Sequence, residues 1–574
     1  MRPMNLRPVL RRTLALSLLL VLVVISSGQR RPQTDNVKPK RPRLILLIVV
    51  DQFRYDYLER FGDLFVANGL RRLMRDGASW TQSNYDHFPT YTAPGHATMM
   101  TGAYPAESGI VGNEWPDRVT GKKVTSVSDT SEKLVGGKPD DPGSSPRRLV
   151  SSTIGDELRF VTNDRSIVIG VSVKDRSAIL PAGRNANAAY WFNLSTGNMV
   201  TSTYYLDQLP AWAVNFNNTR PADQYFGKKW ERLLAESEYL KRAGPDSPAW
   251  EKVTASGDTN SFPHTVTGGA SAPGLAFYTH LDHTPFINEL ILSFAQLVIT
   301  NEQLGQDDDT DVLSVSFSGN DYVGHRYGPY SQEAMDISLR TDRQIATLLD
   351  FVQTKVGLAN TLVAFTADHG VAPIPEHAGA IGLGGARVKT PDLLGAIRAR
   401  IKARYNADDY IYKFDDNGVA RDGFMNGNIY FNYAALERDK VNPEELAQVV
   451  GQAALTVPGV ARYFTRAQLL RGATSITDPI ERRVLHGFYP SRSGDVVLIA
   501  EPFKYLGDTI TATHGSAYSY DTNVPMIIMG PGVNPGRYWE PATPADIAPT
   551  LAALLGITKP PNATGRVLIE ALRR

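Results

Sequence analysis

The 574-residue chain carries 60 Lys and Arg against 59 Asp and Glu, a formal charge of +1, with 42% hydrophobic and 21% charged residues. That balance allows a large buried core and supplies no global field for nucleic acid or an acidic membrane surface. Cysteine is absent, which excludes disulfides, thiolate metal sites, a cysteine nucleophile and lipid attachment through an N-terminal cysteine, so any metal has to be held by Asp, Glu and His.

Residues 1–28 read as a secretory signal. Arg2, Arg7, Arg11 and Arg12 precede an apolar run from Leu14 to Ile25, and Ser26, Ser27 and Gly28 follow. The run is about a dozen residues, enough for a signal core and short of the roughly 20 that a membrane span needs. Residues 29–43, rich in Arg, Lys and Pro, read as a polar linker. The organised chain, residues 44–574, begins at Leu44–Val50, a continuous apolar run that predicts a strand buried on both faces and ends in Asp51. Similar runs lead from Ser166–Val173 into Lys174, Asp175 and Arg176, from Val312–Phe317 into a loop with Asp321 and His325, and from Thr361–Phe365 into Asp368 and His369. A last one, Val524–Met529, leads into Gly530. Strands alternating with helical patterns such as Met335–Val356 predict an α/β fold, a mostly parallel sheet sandwiched by helices. Two stretches depart from this grammar. Residues 181–308 are aromatic-rich and loop-like and read as a cap insertion, and residues 389–502 read as a small α+β subdomain, with helices near Leu393–Tyr405 and Pro443–Ala454 and strands at Asn428–Asn432 and Asp495–Ala500.

The stretch from Phe88 to Gly102, FPTYTAPGHATMMTG, looks like the mouth of a helix with a hydroxyl at its tip. Pro94 suits a first helical turn, which makes Thr92 the natural N-cap, set among unpaired N–H groups where a phosphoryl group is readily held. Asp321 and His325 are four apart, close enough to share one cation; Asp368–His369 form a second pair, and Asp51 and His514 add a carboxylate and an imidazole. Zinc takes N and O ligands of this kind. Taken singly, each pair is more often an ordinary hydrogen-bonded pair. His96, four residues beyond Thr92, reads as a packing or supporting residue, and Tyr190, Trp191 and Trp212 as core.

In order along the chain, Asp51, FPTYTAPGHATMMTG running on to Asn113, Lys174-x-Arg176, GNDYVGHRYGP, TADHG and THGS together resemble the alkaline-phosphatase superfamily. The likeness is to the branch holding the nucleotide pyrophosphatase/phosphodiesterases and the phosphate-irrepressible alkaline phosphatases, and it spans residues 44 to about 535. The resemblance implies two zinc ions. Thr92 takes the place of the nucleophile that becomes phosphorylated and also touches metal; Asp51, Asp368 and His369 stand for the ligands of the ion beside it; Asp321, His325 and His514 stand for those of the second ion. Asn113, with the Ala93 N–H, stands for the donors to a phosphoryl oxygen. The pair Lys174 and Arg176 marks the monoesterases in that branch, and the physical reason is charge, since a monoester is a dianion at alkaline pH.

The expected activity is therefore that of an exported phosphomonoesterase of the alkaline phosphatase type, acting on small-molecule phosphate monoesters. No nucleic-acid partner beyond nucleotide substrates is expected, and no membrane span after signal cleavage. A phosphodiesterase or nucleotide pyrophosphatase on the same metal core is the alternative, and only Lys174 and Arg176 argue against it. A sulfatase needs a modifiable Cys or Ser, whereas this stretch reads Thr-Ala-Pro-Gly-His. A phosphoethanolamine transferase needs membrane spans, and Thr92 in the nucleophile slot disfavours a binding protein without turnover.

Overall fold

The computed structural model describes residues 41–139, 141–251, 259–472, 477–507 and 511–573. The expected signal, and all of the linker but its last three residues, lie outside them.

The main sheet has eleven strands. In chain order they are β1 (Leu44–Val50), β2 (Ala78–Trp80), β3 (Ser128–Val135), β4 (Pro142–Ser144), β5 (Val168–Ser172), β6 (Ala188–Asn193), β7 (Asn198–Ser202), β8 (Asp311–Phe317), β9 (Thr361–Thr366), β10 (Met526–Met529) and β11 (Gly536–Tyr538). The helices that matter to the site are α1 (Thr92–Thr101), α2 (Asp175–Ala182), α3 (Pro285–Asn301), α4 (Gly319–Tyr327), α5 (Gln332–Lys355) and α6 (Ile547–Leu555). Every residue of β1 is buried, and an apolar strand without polar alternation needs cover on both faces. Leu44, Leu46, Ile48 and Val50 join one core with Ile287, Leu290 and Phe294 of α3 and Met335, Leu339 and Leu348 of α5. Ile45, Leu47 and Val49 join the opposite core with Met99 and Met100 of α1 and Ile547 and Leu551 of α6. At about 1.5–3 kcal/mol per buried aliphatic side chain, β1 alone contributes on the order of 10–20 kcal/mol before conformational entropy is counted.

The strand order is β11-β2-β10-β9-β1-β8-β5-β6-β7-β3-β4. The middle five, β9-β1-β8-β5-β6, are all parallel. Their carboxyl ends therefore lie along one edge, where open α/β sheets bind ligands. Asp368 follows β9, Asp51 follows β1, Lys174 follows β5, and β8 leads into α4 with Asp321 and His325. The run read as Val524–Met529 does form a strand, but β10 runs antiparallel to β9. The loop before it already lies at the ligand edge, with the Gly370 N–H donating to the Asp521 carbonyl at 2.7 Å, so the chain has only one direction in which to leave.

The 181–308 stretch is less of a cap than its composition suggests. Ala188–Asn193 extends the parallel sheet as β6, and α3 is a core helix. A strand buried on both faces shows no alternation, which hid β6 among aromatic residues. Tyr190, Trp212 and Phe294 pack together there with ring centroids 5.2–5.8 Å apart. Within 389–502, helices Thr390–Tyr405 and Pro443–Ala454 accompany a four-stranded sheet containing Asn428–Ile429, Val460–Thr465 and Val496–Ala500, around a core of its own.

Helix α1 lies so close to the strand edge that a Cβ added at Gly95 would stand 2.3 Å from the Asp368 carbonyl oxygen. Gly95→Ala is expected to push α1 away from β9 and to destabilise the protein by about 1–3 kcal/mol, measurable as a lower midpoint of urea unfolding.

Candidate metal centre and nucleophile

Thr92 is the first residue of α1, and the flanking position is Tyr91, in an extended conformation with no capping side-chain bond. The expectation that Thr92 is the N-cap is off by one position. The difference matters chemically, because the Thr92 hydroxyl is not consumed in capping. It lies 3.5 Å from His369 Nε2 in a buried setting. Asp51 Oδ1 is 3.5 Å and Asp368 Oδ2 3.4 Å from the same nitrogen. Ligands about 2.0 Å from a tetrahedral ion stand about 3.3 Å apart, and each of the three oxygens lies near that distance from His369 Nε2.

The remaining lone pairs fit that reading. Asp51 Oδ1 is buried without a hydrogen-bond partner and Asp368 Oδ2 is buried with His96 Nδ1 3.2 Å away, an arrangement that is costly unless a cation meets the oxygens. Their other oxygens are tied down: Asp51 Oδ2 accepts from Lys174 Nζ at 2.7 Å, and Asp368 Oδ1 accepts from the Gln52 and His369 backbone N–H groups at 3.1 Å each.

Alongside, Asp321 and His325 stand on one face of α4, with Asp321 Oδ1 3.2 Å from His325 Nε2 and 3.7 Å from His514 Nε2. Among the described residues, ligand atoms cluster in two sets, Asp321–His325–His514 and Asp51–Asp321–His369, so the two half-sites adjoin through Asp321. All three imidazoles donate Nδ1–H to a backbone carbonyl: His325 to Ala512 at 2.7 Å, His369 to Gly370 at 2.9 Å and His514 to Thr90 at 2.8 Å. A carbonyl only accepts, so in the neutral form of each ring Nε2 carries the lone pair that a metal needs.

Electrostatics in this edge are dominated by crowded carboxylates. Burial pushes Asp51 well above the ordinary carboxylate range, and Asp321 and Asp368 reinforce the shift. Burial acts the same way on Asp321, but the charges of His325 and Lys174 overcome it and hold this acid well below. Burial pushes His369 and His514 down, toward the neutral form in which imidazole ligates, whereas at His325 the charge of Asp321 overcomes burial and shifts the ring up.

Lys174, expected to read the substrate's charge, is buried, with Nζ 2.7 Å from Asp51 Oδ2 and 2.5 Å from Asp321 Oδ2. Arg176 is freer: its nearest acid is Asp175 at 3.9 Å and its Nε has no partner. Asn113 is next to the nucleophile, its Oδ1 accepting from the Ala93 N–H at 2.8 Å. That bond engages the backbone donor expected to serve the substrate and leaves the Asn113 amide N–H groups as donors. His96 supports the site, donating Nδ1–H to the Thr92 carbonyl at 2.9 Å and accepting from Ser316 Oγ at 2.9 Å.

Gln52 escaped the sequence reading. It takes a left-handed φ of 65° immediately after Asp51, which aims its backbone N–H at Asp368 and its Nε2 at Asp321 Oδ1, 2.6 Å away. One residue thereby holds a carboxylate of each half-site. Gly324 makes room for it, because a Cβ there would lie 1.8 Å from Gln52 Oε1. The only signal in the sequence was a glycine between Asp321 and His325. Gln52→Met, which keeps the volume and removes the amide, is expected to weaken divalent-metal uptake by about 10- to 100-fold, read by titrating the metal-free protein against a competing chelator.

A family model described as type I phosphodiesterase / nucleotide pyrophosphatase matches residues 45–521. Alkaline phosphatase PafA of Elizabethkingia meningoseptica is 36% identical over 563 residues, covering 96% of this chain and 98% of that protein. Alkaline phosphatase PhoV of Synechococcus elongatus is 34% identical with the same coverage of both. The crystal structure of PafA superposes with a TM-score of 0.85 at 35% identity, over 93% of this chain and 99% of the other. On the extent of these matches, the chain belongs to the type I phosphodiesterase / nucleotide pyrophosphatase family of the alkaline-phosphatase superfamily.

Proposed function

We propose that the protein is an exported alkaline phosphatase that binds two zinc ions and hydrolyses phosphate monoesters through a phosphorylated Thr92. The observation that carries this reading is the convergence of Thr92 Oγ1, Asp51 Oδ1 and Asp368 Oδ2 on His369 Nε2, each at 3.4–3.5 Å, beside the Asp321–His325–His514 set. The full-length likeness to two proteins named alkaline phosphatases supports the substrate class. Export is supported by the Arg-rich, apolar N-terminal sequence, and among the described residues no helix is long and apolar enough to cross a membrane.

Asp51, Asp368 and His369 would hold the ion at Thr92, and Asp321, His325 and His514 the other. When bound, the ions lower the pKa of a coordinated hydroxyl and neutralise charge on the attacking and leaving oxygens. Thr92 takes the phosphoryl group as the alcohol departs, and water then releases phosphate from the threonine. Asn113, oriented by the Ala93 N–H, donates to a phosphoryl oxygen. Charge selects the ester: Asp51, Asp321 and Asp368 with Lys174 sum to a formal −2, and two divalent cations reverse that to +2. Arg176 adds one more positive charge, so the site favours a dianionic monoester over a singly charged diester.

The deciding measurement is kcat/KM of the zinc-loaded protein for an aryl phosphate and for its methyl diester at one alkaline pH. The monoester is expected to win by orders of magnitude. Arg176→Ala should shrink that ratio by about 10- to 150-fold, the worth of one contact to a charged group; it is a cleaner variant than Lys174→Ala, which also frees two carboxylates. A preference for the diester would instead make the protein a phosphodiesterase. Thr92→Ala is expected to retain zinc and lose turnover by about 10³-fold or more, and chelation to abolish activity until zinc is restored. Substantial turnover by Thr92→Ala would move the nucleophile elsewhere.

A further inference from the structure

One imidazole beside the metal edge belongs to neither ligand set. His96 lies one turn beyond Thr92 on α1, fully buried against Asp368 and Ser316, which are fully buried too. Its Nδ1 is 2.9 Å from the Thr92 carbonyl oxygen and 3.2 Å from Asp368 Oδ2. A carbonyl and a carboxylate only accept, so Nδ1 carries the hydrogen, and in the neutral ring Nε2 takes the Ser316 hydroxyl at 2.9 Å. Ser316 is anchored in turn: Ser172 Oγ donates to its carbonyl at 3.1 Å and stands 3.2 Å from the hydroxyl of Ser318, the residue before α4. The ring reaches Asp368 because α1 is packed too tightly there for a Cβ at Gly95. A polar ring enclosed this deeply is costly unless its nitrogens are met, and here they join the nucleophile's own peptide, the acid beside it and the strand that leads into α4.

We infer that His96 is a positioning residue for phosphoryl transfer: its Nδ1–H sets the spacing between the Thr92 peptide and Asp368, and through it the place of Thr92 Oγ1 among the ligand oxygens. The step it serves is the one in which Oγ1 gives its proton to solvent and bonds phosphorus while the bond from phosphorus to the alcohol oxygen breaks, the alcohol taking up a proton. His96 touches neither substrate nor the reacting oxygen. A nucleophile displaced by about 1 Å can lose about 100-fold in rate, whereas the groups proposed to hold the phosphoryl oxygens, Asn113 and Arg176, do not depend on this ring. The inference rests on the reading of Thr92 as the nucleophile, and it adds what holds that nucleophile in register.

The test separates the two ring nitrogens. His96→Ala is expected to lower kcat and kcat/KM together by about 10- to 100-fold, while KM, inhibition by inorganic phosphate and divalent-metal uptake by the metal-free protein stay as in the parent. His96→Asn puts an amide nitrogen as many bonds from Cβ as Nδ1 is, and His96→Gln one as many as Nε2 is. Asn should therefore restore most of the lost kcat and Gln should not, and the yield of phosphorylated Thr92 trapped by acid quench should rank the same way. A packing role predicts instead that kcat follows the urea midpoint, so the midpoints of both variants are measured alongside. Equal kcat in the Asn and Gln variants, a loss that appears in KM, or one explained by weaker metal uptake would overturn the inference while leaving the phosphatase reading intact. If His96→Ala does not fold, the Asn and Gln pair still decides. Substantial turnover by Thr92→Ala would instead remove the nucleophile, and the inference with it.

Discussion

Three buried carboxylates, Asp51, Asp321 and Asp368, crowd one edge of a sheet, and much of the architecture around them is what keeps such an arrangement from flying apart. Like charges taken out of water repel strongly unless counter-charges and donors are built in around them. Lys174 bridges two of the acids, Gln52 bridges Asp321 and Asp368, and Asp51 Oδ1 and Asp368 Oδ2 face Nε2 of His369. Asp51 and Asp368 are therefore each tethered by one oxygen and present the other, while Asp321 is held through both. The expense of burying them is consistent with a site whose remaining counter-charge arrives as metal.

Rigidity comes from what lies behind. β1 is sealed on both faces by helices, so Asp51 emerges from a fully buried strand, and its neighbours β9, β8 and β5 deliver their groups to the same edge. Helix α1 is pressed against that edge at Gly95, which brings Thr92 beside His369. The histidines are aimed by the backbone itself, each held through Nδ1 by a carbonyl. The orientation of these imidazoles is thus a property of main-chain geometry.

The subdomain contributes in a different way. It supplies none of the proposed ligands, yet residues between Phe424 and Gly427 and between Leu498 and Gly507 close one side of a cavity next to His514. The edge holds charge, and the subdomain offers aromatic and aliphatic surface.

Much of this was legible in the chain itself. Continuous apolar runs ending in Asp or Lys marked the strands and the groups they carry, because a strand buried on both faces leaves no polar residue until it reaches the edge. The spacing of Asp321 and His325 marked a pair able to share one cation, though not that a helix, α4, would carry them. Strand direction was not legible, since β10 has the composition of its parallel neighbours and runs the other way; nor was β6, whose aromatic residues resemble a loop's. The hydrogen-bonding role of Gln52 and the pairing of Lys174 with two acids were also out of reach. Residue type and local periodicity are set by the sequence alone, so it determined which groups this protein brings to a sheet edge. Which of them touch depends on contacts between segments hundreds of residues apart, such as Gln52 with Asp321 and Asp368, and only the tertiary structure decided that.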